Sequence, residues 1–220
     1  MALTAIGFDL DGTLFDDRQY ARVGLEAAAN TINTRYGIDL REELLRTYFQ
    51  EGKTENTFDI VLNRYGLPTA LVPELVDAYH DTSGDLTPFP GVVETLDVLH
   101  SSHDLGLLTG GRNGRDKLNR LDLTEYFDVV VIAPEQSMSK QTVDPFEELV
   151  QQLNVNPHNC LYVGDRPELD FVHPNRLGMM TVQVRTGVHT DRLGRGAAEP
   201  DHIINSVREL PLLLDRLGPQ

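Results

Sequence analysis

Asp9 and Asp11 stand two positions apart at the end of an apolar run, with Gly12 and Thr13 next. On an extended strand such residues point to one side, so the two charges would repel each other. Burying them is costly unless a cation or hydrogen bonds compensate. A D-x-D-G sequence alone is most often an Asx-type turn. Other groups shift the balance towards chemistry. Thr109-Gly110-Gly111 supplies a hydroxyl and glycine amides, Gly164-Asp165 followed by Asp170 supplies more acid, and Lys140 supplies one cation. A carboxylate pair whose environments push the two groups apart can divide ionised and proton-holding roles at neutral pH.

The elements around these residues place them together. Residues 4–10 (TAIGFDL) read as a buried strand. Between 18 and 83 the apolar residues recur at helical spacing: Leu25, Ala28 and Ile32, then Leu44, Leu45 and Tyr48, then Phe58, Val61 and Leu62, then Leu75, Val76 and Tyr79. This predicts a small helical insert with turns near Gly37, Gly52 and Gly66. After TPFPG at 87–91, strands at 105–109, 128–132, 160–164, 180–184 and 202–204 alternate with helices. Those helices are expected at 91–101, 114–121, 145–153, 170–177 and 206–217. The alternation predicts an α/β fold, a Rossmann-like doubly wound parallel sheet covered on both faces. Ligands of such sheets sit beyond the C-terminal strand ends, which is where Asp9, Asp11, Thr109, Gly110, Lys140 and Asp165 fall.

Composition bounds the partners. Of 220 residues, 34 are acidic and 19 basic, a formal charge of −15, which argues against nucleic acid and anionic membranes. A phosphate substrate stays compatible, because a bound cation can reverse the local field. Cys160 is the single cysteine, so no intrachain disulfide forms, in keeping with a cytoplasmic protein. It lies in an apolar strand and reads as core. The N-terminus lacks a basic stretch ahead of its apolar run and does not read as a signal peptide.

In order and at strand ends, these motifs resemble those of the haloacid dehalogenase superfamily, in particular its phosphatases with a helical cap. Asp9-Leu10-Asp11-Gly12-Thr13 resembles the first motif, Thr109-Gly110-Gly111 the second, Lys140 the third, and Gly164-Asp165 through Asp170 the fourth. Gly110 stands where the family usually has asparagine, and Gln141 where proline usually follows the lysine. The resemblance implies a core of residues 1–16 and 84–220 with a cap of residues 17–83 inserted after the first strand.

It also implies roles. Asp9 would be the nucleophile that forms an aspartyl-phosphate, and Asp11 the general acid and base. Mg²⁺ would be held by Asp9, Asp165 and the main-chain carbonyl of Asp11. Thr109 and the Gly110 and Gly111 amides would bind phosphate oxygens and Lys140 would offset developing charge, while Asp170 would either cap the start of the helix that follows or act beside the metal or Lys140. The cap would close as a lid, with Tyr20, Arg22, Arg46 and Lys53 as candidate selectors of a small phosphorylated metabolite. The protein would work as a monomer or homodimer.

Three other functions compete with this one. A 2-haloacid dehalogenase attacks carbon and needs neither the metal nor an acid at Asp11. A receiver-like signalling module shares acids, a hydroxyl and a lysine at strand ends, but is about half this length and lacks the insert. A catalytically silent binding protein would have no use for the complete set of groups.

Overall fold

The computed structural model describes residues 3–218. Among them the chain forms two compact units: residues up to Asp17 together with those from Asp85 on, and Arg18–Gly84.

In the first unit, β1 (Ala5–Phe8), β2 (Asp104–Thr109), β3 (Val129–Ile132), β4 (Cys160–Gly164), β5 (Met180–Val184) and β6 (His202–Ile204) form one sheet in the order β3-β2-β1-β4-β5-β6. Every pairing is parallel. Chain order reverses between β1 and β4, which defines the crevice where such sheets bind ligands. The register sets Phe8 level with Leu107 on one side and Val163 on the other, so Asp9, Leu108 and Gly164 come next, side by side. The strand expected over 4–10 is shorter than its apolar run. Asp9 still donates its amide to the Val163 carbonyl at 2.9 Å, but the chain then turns at Gly12 with φ +84°.

The second unit holds α1 (Arg18–Tyr36), α2 (Arg41–Phe49), α3 (Thr57–Arg64) and α4 (Val72–His80). The apolar positions that predicted these helices make its core: Leu25, Ala28, Ile32, Leu44, Val61, Leu62 and Leu75 are buried together. Such a stripe, one side chain per turn, is what gives short helices their stability.

The helices α5 (Val92–His100), α6 (Gly114–Arg120), α7 (Asp144–Gln152), α8 (Pro167–Asp170), α9 (Val172–Leu177) and α10 (Leu210–Leu217) belong to the first unit. Phe146, Leu149, Val150 and Leu153 of and after α7 pack on Ala5, Leu108, Val131 and Tyr162. The helix lies close because Gly7 and Gly106 present no side chain; a Cβ on either would come within 2.8 Å and 2.7 Å of Leu149. The helix expected over 170–177 is two pieces, with Asp170 closing α8 instead of opening α9. No helix among the described residues is long and apolar enough to cross a membrane.

Candidate active site

Asp9 leaves the end of β1 and is 6 % exposed. Its Oδ1 accepts from Lys140 Nζ at 2.7 Å and its Oδ2 from the Thr13 hydroxyl at 3.3 Å. Lys140 arrives from the loop after β3 and also donates to Asp170 Oδ1. The other Asp170 oxygen accepts the Arg166 amide at 2.8 Å. Asp170 is therefore a clamp between the lysine and the turn that carries Asp165, not the cap of the helix that follows. The Lys140 ammonium lies 5.4 Å from the centre of the Tyr162 ring, whose hydroxyl donates to the Leu108 carbonyl at 3.2 Å. Gly110 lies along the lysine stem, where a Cβ would come 3.3 Å from Cδ.

Asp165 directly follows β4 and is fully buried, and neither carboxylate oxygen has a hydrogen-bond partner. One oxygen each from Asp9, Asp165 and Asp170 lies within 4.8 Å of the others. Three carboxylates therefore meet one ammonium, which leaves two negative charges uncompensated when all are ionised. Burial, and then Asp170 and Asp11, push the Asp9 carboxyl up to about 7 despite Lys140. Burial, followed by Asp9 and Asp170, pushes Asp165 up to about 9. Burial alone would lower the Lys140 ammonium, but Asp170 and Asp9 carry it well above its ordinary value. Orphaned hard oxygens with a double charge deficit suit a divalent cation with oxygen ligands.

Gly12 shapes this cluster in two ways. Its positive φ favours glycine, and a Cβ there would run into the Asp165 carboxylate. The turn is pinned by the Thr186 hydroxyl, which donates to the Gly12 carbonyl at 2.7 Å.

Asp11 lies outside that cluster. Its Oδ1 accepts from Lys117 Nζ at 2.6 Å and its Oδ2 from the Thr109 hydroxyl at 3.3 Å. The Gly111 amide, expected to face phosphate, donates to Thr109 Oγ1 at 3.0 Å. Each aspartate thus has its own lysine. Lys117 escaped the sequence reading, although a signal was there. On the helix expected over 114–121 it shares a stripe with Gly114, Leu118 and Leu121, and a lysine inside an apolar stripe has to be paired.

Other candidates fall elsewhere. Cys160 is core, its thiol pushed by burial up to about 12. Arg46 pairs with Glu43 and Glu51 on the surface of the helical unit, and Arg22 lies over the Phe49 ring. Tyr20 is buried with its hydroxyl 3.1 Å from His80 Nδ1. Lys53 is exposed.

Removing the lysine of the acid cluster should be costly. Lys140→Met leaves Asp9 and Asp170 buried without their cation, and a broken buried pair costs about 3–5 kcal/mol. Urea unfolding at pH 8 should show a lower midpoint with an unchanged slope.

A parallel α/β sheet with acids at the β1 and β4 ends and a lysine after β3 defines a class of hydrolase, and the chain belongs to it. Residues 6–184 match the family model for haloacid dehalogenase-like hydrolase, and the chain is a member of that family. It is similar to the glyceraldehyde 3-phosphate phosphatase of Methanopyrus kandleri, 36 % identical over 225 residues that span 94 % of this chain and 95 % of the relative. The enzyme of the same name from Pyrococcus furiosus is 30 % identical over 226 residues, spanning 98 % and 93 %. The solved structure of a HAD phosphatase from Thermococcus onnurineus matches with a TM-score of 0.65 at 25 % identity, over 99 % of both chains.

Proposed function

We propose that this chain is a Mg²⁺-dependent phosphatase that hydrolyses a small phosphorylated metabolite of about triose phosphate size. The observation that carries the reading is the orphaned Asp165 carboxylate beside Asp9, two buried acids with an oxygen each within 4.8 Å, a spacing that one divalent ion can share. The substrate size rests on the glyceraldehyde 3-phosphate phosphatases among the relatives.

In this reading Asp9 Oδ attacks phosphorus as the ester bond breaks, and the leaving oxygen takes the bonding pair and a proton from Asp11. Water then attacks the aspartyl-phosphate, Asp11 accepts its proton, and inorganic phosphate and free Asp9 result. Lys140 holds Asp9 in place and offsets charge on the phosphoryl oxygens. The Thr109 hydroxyl, which donates to Asp11 Oδ2 in the free protein, would turn to a phosphoryl oxygen beside the Gly110 amide. A divalent ion held by Asp9, Asp165 and the Asp11 carbonyl would supply the positive charge that keeps both acids ionised at neutral pH and draws a dianion in. The helical unit, residues 18–84, serves as the cap that selects the leaving alcohol, and the enzyme acts in the cytoplasm. Attack on carbon would leave Asp11 and Asp165 without a task, so dehalogenation is disfavoured.

Phosphate release tests the reading. Purified protein with Mg²⁺ should hydrolyse glyceraldehyde 3-phosphate or another small ester in a metabolite panel. Turnover should stop in EDTA and return on adding Mg²⁺ in excess. Silence across the whole panel, or activity undiminished by the chelator, would refute it.

A further inference from the structure

We propose that Lys117 is a positioning residue that holds the Asp11 carboxylate on the Thr109 side of the strand ends, away from the Asp9–Asp165–Asp170 cluster. The proposal rests on the phosphatase reading above and adds a residue to it. The geometry is a built one. Lys117 is 5 % exposed, and its ammonium reaches Asp11 Oδ1 at 2.6 Å. Its placement is fixed from three sides. α6 presents Gly114, Lys117 and Leu118 as its buried residues. The ammonium lies 5.9 Å from the Phe15 ring centre. Gly111 leaves the gap, since a Cβ there would fall on the Asp11 carboxylate and come 3.1 Å from Lys117 Nζ.

The physical need is separation. Asp9 and Asp11 are two residues apart and leave the same strand end, and the acid cluster beside them would gain nothing from a fourth carboxylate. Lys140 draws Asp9 one way and Lys117 draws Asp11 the other. In the phosphatase reading Asp11 is the side chain that serves the leaving oxygen, and Lys117 sets where its carboxyl group points. A buried lysine is expensive unless paired, and Asp116 and Arg120 of the same helix pair with each other at 3.2 Å, so the Lys117–Asp11 contact is not a general feature of α6 charges.

A merely structural tether and a positioning residue differ in which substrates they affect. The kcat/KM value covers the reaction up to departure of the alcohol. An alkyl phosphate such as glycerol phosphate needs a proton at that moment, whereas p-nitrophenyl phosphate, with its stable phenolate, does not. In Lys117→Met with Mg²⁺ present, kcat/KM should fall about 100-fold for the alkyl ester and less than about threefold for the aryl ester. Lys117→Arg should restore the alkyl rate to within about tenfold of the parent, because it keeps the charge and the donor. If the methionine variant does not fold, Lys117→Gln is put through the same comparison. Equal loss on both esters, no loss on either, or no rescue by arginine would overturn the proposal. If the parent turns over neither of these two esters, the same comparison is run on the alkyl ester and an aryl ester that it does hydrolyse in the metabolite panel; silence across that whole panel is the distinct result that removes the phosphatase reading along with this one.

Discussion

Asp9→Asn should reduce phosphate release by at least about 10⁴-fold, the scale on which enzymes lose rate when a covalent nucleophile is removed. The amide nitrogen is a poor nucleophile, and the remaining amide oxygen cannot form an aspartyl-phosphate. The change is nearly isosteric, so the Thr13 and Lys140 contacts at this position keep their spacing. It also removes one charge from a buried cluster in which burial, Asp170 and Asp11 already push Asp9 upwards. The metal-free variant should therefore fold as stably as the parent at neutral pH. A dead but well-folded protein, judged by thermal melting beside phosphate release, is the expected combination. An active Asp9→Asn protein would mean that another group attacks phosphorus.

Asp165→Asn should separate function from stability in the opposite sense. In the metal-free fold this carboxyl holds its proton up to about pH 9, whereas in the unfolded chain it ionises near pH 4. Between those values the folded state binds more protons than the unfolded state, so stability declines as pH rises through the window. Asparagine carries no charge to bury and escapes that decline. Metal-free Asp165→Asn should melt close to the parent at pH 4 and above it at pH 9. A gain of about 1 kcal/mol corresponds to roughly 2–4 °C in Tm for a chain of this size. The same change removes a hard anionic ligand, so the affinity for Mg²⁺, read by calorimetry, should fall at least about 100-fold, and Mg²⁺ should no longer raise the melting temperature. Strain of this kind is expected where a site is built for a ligand and not for the empty fold. A variant that binds Mg²⁺ like the parent would move the ion site elsewhere.

Much of the fold was legible because it depends on periodicity. The alternation of short apolar runs with helical stripes gave the parallel sheet, and strand 160–164 and strand 180–184 match β4 and β5 to the residue. Strand ends then told which residues could meet, since in such a sheet every C-terminal end lies on one edge. What stayed hidden depends on side-chain partners far apart in sequence. Lys117 and Asp11 are 106 positions apart, and nothing local to either announces the other. Asp170 read equally well as a helix cap, because a carboxylate near a helix start is usually just that; its clamp on Lys140 depends on a loop 30 residues earlier. The resemblance gives the Gly111 amide to phosphate, whereas in the structure the hydroxyl two residues before it accepts from that donor. Local hydrogen bonds of this kind compete with ligand contacts and are settled only by backbone conformation.

The central claim is that Asp9 carries the phosphoryl group between two half-reactions. Acid quenching of the enzyme during turnover with Mg²⁺ and substrate, followed by mass spectrometry of its peptides, tests it most directly. A phosphoryl adduct on the peptide holding Asp9, absent from Asp9→Asn, is the result this account requires. Turnover with no adduct on that peptide, or an adduct on a different side chain, would contradict it.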